Sequence, residues 1–199
     1  MDSLQEIESK IKQIEQDVVD CMRCDLWRTR KNPVVGDGSI DVRVMFIGEA
    51  PGYYEDIQGI PFVGRAGKIY DELLRSIELQ RKAVYVTNIL KCRPPGNRDP
   101  FDAEIKACTP YLDIQIMAIK PEVIVTLGNF ASSYALEKFG LQAEKIGAIH
   151  GNIFRIKNLV FDSRIVPLYH PATVVYNPEI RKVLLKDFES ITKALYEKK

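Results

Sequence analysis

The chain predicts an α/β protein with a central, mainly parallel four-stranded sheet flanked by helices. Two observations carry this expectation. Short, nearly unbroken apolar runs, such as residues 42–47 and 123–127, read as strands buried on both faces. Between such runs lie longer stretches with helical periodicity, so strand and helix alternate as they do where parallel strands are joined by crossover helices. With 199 residues and 46% hydrophobic content there is material for one full core, and a single domain over 1–199 is expected.

Each element has its own signal. Leu4, Ile7, Ile11, Ile14 and Val18 share one helical face, so the chain opens with an amphipathic helix that delivers Cys21 and Cys24 at its end. Asn32-Pro33 and Gly36-Asp37-Gly38 then turn the chain. Residues 42–47 form a first strand running into Gly48-Glu49-Ala50-Pro51-Gly52, a helix follows over 66–77, and residues 84–90 form the second strand. Asp99 suits the N-cap of the next helix, with Pro100 in its first turn and Asp102 at the reciprocal capping position; this helix carries Cys108. Residues 123–127 are a third strand, 131–139 a helix, and 165–169 a further strand ending at His170. Asn177-Pro178-Glu179 caps the last helix.

In sheets of this kind ligands bind beyond the carboxyl ends of the strands. Glu49, Asn88 and His170 all fall there. Singly each has an ordinary explanation: a loop acid, a turn former, a satisfied histidine before proline. Together, on three strand ends, they furnish a cleft with an acid, an amide and an imidazole.

Four cysteines form a second pattern: Cys21 and Cys24 are a C-x2-C pair, while Cys92 and Cys108 stand alone. The opening residues lack the basic and apolar regions of a secretory signal, so a reducing, cytoplasmic setting is expected, where thiols bind metal more often than they form disulfides. Spacing leaves three readings open: an iron–sulfur cluster, a structural zinc, or four unrelated buried thiols. A single knuckle with two lone ligands suits a cluster better than the paired knuckles of a zinc ribbon. The net charge of +1 hides local asymmetry: Arg23, Arg28, Arg30 and Lys31 gather at the first pair, and Lys91, Arg93 and Arg98 surround Cys92. These clusters read either as solvated surface or as a track for phosphates. No apolar run approaches the ~20 residues of a membrane helix.

Several motifs together resemble the family 4 uracil-DNA glycosylases, iron–sulfur enzymes of archaea and thermophilic bacteria. They are Gly48-Glu49-Ala50-Pro51-Gly52 with Glu55-Asp56, Gly59-Ile60-Pro61-Phe62-Val63-Gly64, Thr87-Asn88, Cys92-Arg93-Pro94-Pro95, Thr126-Leu127-Gly128 and His170-Pro171-Ala172-Thr173. The 28% charged fraction accords with heat tolerance. The resemblance implies a monofunctional hydrolase that flips uracil out of single- or double-stranded DNA and leaves an abasic site. It implies that Phe62 stacks on the base and that the Asn88 amide, donor and acceptor at once, pairs with O4 and N3–H. Backbone groups of Glu49, Ala50 and Pro51 would line the pocket, and Glu55 would exclude the thymine methyl, with Tyr53 and Tyr54 as alternatives. Glu49 would orient water toward C1′, while His170, neutral or protonated, would stabilise the departing base at O2.

The resemblance also implies that Cys21, Cys24, Cys92 and Cys108 hold a structural [4Fe-4S] cluster, ordering Arg23, Arg28, Lys91 and Arg93 along the DNA. Val174, Val175 and Tyr176 fall where the family carries its intercalating wedge, a plain helix cap being the alternative. His150 reads as structural. A nucleoid-associated monomer is expected, and engagement of a sliding clamp by either terminus is left open. Alternatives are a broader deaminated-base glycosylase of family 5 and a non-catalytic iron–sulfur nucleic-acid-binding module.

Overall fold

The computed structural model describes residues 3–157 and 162–196. Its elements in chain order are α1 (Leu4–Val19), β1 (Asp37–Gly38), β2 (Val44–Gly48), α2 (Tyr53–Gln58), α3 (Arg65–Ser76), β3 (Tyr85–Asn88), α4 (Asp102–Ile119), β4 (Val123–Leu127), α5 (Asn129–Lys138), α6 (Ile146–Ile149), β5 (Phe154–Lys157), β6 (Asp162–Leu168), α7 (Thr173–Tyr176) and α8 (Ile180–Tyr196). The terminal residues 1–2 and 197–199, where a sliding clamp would engage, lie outside the described residues.

The strands form one sheet in the order β1-β3-β2-β4-β6-β5. Its centre is the expected set of four parallel strands, β3, β2, β4 and β6. Short antiparallel strands close both edges, so the sheet is six-stranded rather than four-stranded. Successive residues face opposite sides of a strand, and the core divides accordingly. Met45, Ile47, Ile124 and Ile165 join one apolar layer with α1, α4 and α5, whereas Val44, Phe46, Val125 and Val166 join the other with α3 and α8. The central strands are therefore largely apolar on both faces because both faces are covered.

The chain leaves β2 for β3 on one side and later passes to β4 on the other. Such a reversal opens a crevice at the carboxyl ends of the strands, here beside the end of β2. Pairing extends past the strand ends, since the Ile89 and Leu90 amides donate to the Gly48 and Glu49 carbonyls at 3.0 Å each. That continuation fixes where Glu49 leaves the sheet.

One capping expectation is corrected. The N-cap of α4 is Phe101, not Asp99, and its amide donates to the Glu104 carboxylate at 2.9 Å. Arg98 grips Glu104 through both terminal nitrogens and so anchors the helix start two residues beyond Asp99. No helix among the described residues is long and apolar enough to cross a membrane.

Candidate active site

A cavity of about 540 Å³ opens at the carboxyl ends of the parallel strands. Glu49, Ala50, Pro51, Glu55, Phe62, Asn88 and His170 all line it. The structure thus brings together every residue expected to hold the base, although they come from the loop after β2, α2, the loop before α3, the end of β3 and the loop after β6.

Asn88 ends β3, is 2% exposed, and pairs in register with Gly48 of β2. A Cβ at Gly48 would lie 2.3 Å from Asn88 Oδ1 and 3.2 Å from the Phe62 ring, so only glycine lets amide and ring meet there. Phe62 is itself unusual. It adopts a left-handed backbone, φ 55°, which a bulky side chain tolerates only under constraint. That constraint is visible: Arg81 donates to the carbonyls of Pro61 and Phe62, and α3 presents Gly67, where a Cβ would fall 1.8 Å from the Phe62 carbonyl oxygen. The ring rests on Tyr70 at 5.0 Å and lies 5.6 Å from the His170 ring, nearly parallel to it. Sequence reasoning missed both supports. A glycine inside a helical pattern was the available signal for Gly67; Arg81 carried none.

His170 follows β6 and accepts a hydrogen bond from the Ala172 amide on Nδ1 at 3.1 Å. With Nδ1 an acceptor, the network assigns the ring proton to Nε2. Burial pushes the imidazole pKa down to about 4, so near pH 7 the ring is a neutral donor rather than an imidazolium. Glu49 is shifted the other way. Desolvation first, then the charge of Asp99 across the cavity, raise its carboxyl to about 7. Glu55 accepts from the Gly64 amide at 3.2 Å, which holds its carboxylate against the loop that carries Phe62.

The basic residues fall into different environments. Lys91 is fully enclosed, its Nζ donating to Thr87 Oγ1 at 2.6 Å, the Asn88 carbonyl at 2.8 Å and Gln115 Oε1 at 2.7 Å. Its expected place on a DNA face is therefore corrected: an enclosed ammonium with three acceptors does not reach a phosphate. Arg28 is exposed, pairs with Asp25 and lies over Trp27, and Arg23 lies over Tyr111. Arg93 lies over the Tyr53 ring. Val174 is half-buried against the core, whereas Val175 is 37% and Tyr176 87% exposed. Asn177 accepts from the Glu179 amide at 3.2 Å ahead of α8, so this segment is also the helix cap. His150 bonds Asp187 at 2.7 Å and packs on Tyr169, outside the cavity lining.

On the other side of β3, Cys21, Cys24, Cys92 and Cys108 all line one small apolar cavity with Val18, Leu26 and Ala107. The donor set is entirely thiol. Among the described residues no three His, Cys, Asp or Glu side chains lie close enough together to share a single metal ion. Arg30 donates to Cys92 Sγ at 3.1 Å while also holding the Val18 carbonyl, and the Lys91 amide donates to Cys108 Sγ at 3.2 Å. Burial raises the thiol pKa values of Cys24 and Cys92, and that of Cys108 to about 12.

The chain belongs to the uracil-DNA glycosylase superfamily. The model described as "Uracil DNA glycosylase superfamily" matches residues 35–195. Within that superfamily the chain belongs to the type-4 uracil-DNA glycosylases. It is 49% identical over 191 residues to the type-4 uracil-DNA glycosylase of Saccharolobus solfataricus, covering 93% of this chain and 86% of the relative. It is 44% identical to that of Sulfurisphaera tokodaii, covering 91% and 83%, and 43% identical to that of Archaeoglobus fulgidus, covering 89% of each.

Proposed function

We propose that this protein removes uracil from DNA by hydrolysing its N-glycosidic bond, as the first step of base excision repair. The observation that carries the reading is the convergence of Glu49, Phe62, Asn88 and His170 on one cavity. The base must leave the stack before its glycosidic carbon is reachable. Once flipped, it stacks on Phe62 and presents O4 and N3–H to the Asn88 amide. Cytosine offers the opposite donor and acceptor pattern, and each buried group it leaves unpaired costs ~1–3 kcal/mol. The Glu55 carboxylate, held by Gly64, stands against a 5-methyl group.

As the bond lengthens, positive charge grows on the sugar and negative charge on the base. His170, neutral and protonated on Nε2, donates to O2 without first losing a charge. Glu49 acts as a carboxylate, accepting a proton from water aimed at C1′ and favouring the cationic sugar. No lysine lies among the cavity-lining residues, which favours hydrolysis without a Schiff base and hence no lyase step.

Cys21, Cys24, Cys92 and Cys108 hold a [4Fe-4S] cluster in this reading. The support is an all-thiol donor set around a shared cavity, with two N–H groups directed at its sulfurs. When bound, the cluster supplies cross-links, not electrons, since hydrolysis transfers none.

The test is incubation with uracil-containing single- and double-stranded oligonucleotides followed by hot alkali. Cleavage at the uracil by the wild type, lost in Asn88→Ala and His170→Ala, is expected. Absence of uracil release from every substrate would refute the assignment.

A further inference from the structure

Four of the five aromatic side chains that stand exposed among the described residues lie in or next to segments that line the cavity: Tyr53 and Tyr54 between the lining residues Gly52 and Glu55, Phe101 against the lining residue Arg98, and Tyr176 in the lining itself. Tyr53 and Phe101 are 54% and 59% exposed, and neither is needed to close the core. Exposed rings grouped in one place mark an interaction surface rather than a packing accident.

These two rings belong to a continuous strip. Arg93 lies 5.2 Å over the Tyr53 ring, and its Nε donates to Asn97 Oδ1 at 2.7 Å. Asn97 and Arg98 line the cavity, and Arg98 lies 3.8 Å over the Phe101 ring. The strip thus sets one arginine over each ring, with Asn97 and Arg98 joining them at the cavity lining. Arg98 is fixed by Glu104, so the Phe101 end is rigid before any ligand arrives.

We infer that this strip binds the unpaired nucleotides flanking a uracil in single-stranded DNA. The inference rests on the reading that the cavity takes uracil. Bases stack on aromatic faces regardless of identity, and Arg93, whose partner Asn97 is uncharged, answers a phosphate beside them. In a duplex the flanking bases stay paired and stacked within the helix, so they are not free to reach Tyr53 or Phe101. The strip therefore distinguishes the two substrates.

The test compares Tyr53→Ala and Phe101→Ala with the parent on uracil oligonucleotides of one sequence, single- and double-stranded. Each substitution is expected to raise KM on the single strand ~10-fold, leaving kcat and the duplex KM within twofold. Phe101→Trp, which keeps a stacking face, should restore the single-strand KM. Fluorescence anisotropy with a uracil-free oligo-dT reads the strip without catalysis, and there each alanine variant should bind ~10-fold more weakly. Unchanged oligo-dT affinity in both variants, or equal losses on single strand and duplex, would overturn the inference. A parent that binds oligo-dT through these rings yet releases no uracil would instead sink the proposed function alone.

Discussion

Glu49 and His170 sit in one cavity yet are shifted in opposite directions by the same cause. Removing water disfavours whichever form is charged, so the carboxyl rises to about 7 and the imidazole falls to about 4. The consequence is a pH profile with a single limb near neutrality. Below pH 7 Glu49 takes up its proton and ceases to be a base, so kcat/KM should fall ~tenfold per unit, whereas His170 stays neutral throughout this range. Asp99 adds like charge to Glu49, and Asp99→Asn should move the limb to lower pH. Measuring kcat/KM from pH 5 to 9 for both proteins checks this; a limb that does not move assigns the titration to another group. Glu49 and His170 were legible in the sequence because strand ends are. Asp99 was read as a helix cap because its spacing to Asp102 fits one, and only the Arg98–Glu104 pair reveals why the helix starts later.

β3 connects the two halves of the site. Asn88 at its end faces the base cavity, while Lys91 three residues on reaches back to the Asn88 carbonyl and offers its amide to Cys108. Replacing Lys91 with methionine keeps the bulk but strips the donor from Asn88, Thr87 and Gln115. A loss of ~3 kcal/mol in urea unfolding is expected, because buried acceptors are left without partners. Retained stability would mean that water or a rearranged Gln115 satisfies them. Lys91 also shows where the sequence fell short. Beside Cys92 and Arg93 it reads as one more surface cation, since a charge run along the chain says nothing about which way each side chain faces. The central strands were visible for the opposite reason: burial on both sides leaves an apolar run that no turn imitates. The edge strands were not, because β1 is two residues long and β5 exposes alternate side chains.

Across the whole molecule, a cluster held by the four cysteines would join segments the sheet does not. Cys21 and Cys24 follow α1, ahead of the span matched by the superfamily, while Cys92 and Cys108 belong to the β3–α4 region. Bridging them ties the N-terminal arm to the α4 face of the sheet. Reconstitution with iron and sulfide should raise Tm by ~10 °C over the metal-free protein, with Cys108→Ser losing most of that gain, followed by calorimetry and visible absorbance. A metal-free protein melting as high as the loaded one would remove the bracing role. The left-handed turn at Phe62 bears on a different matter, the pace of search along DNA. Folding has already locked the Phe62 backbone against Arg81 and Gly67, so its ring stands in place before a base arrives. Each nucleotide that swings out meets a finished mould, and the time spent on a wrong one is limited by the nucleotide's own swing, not by the protein's.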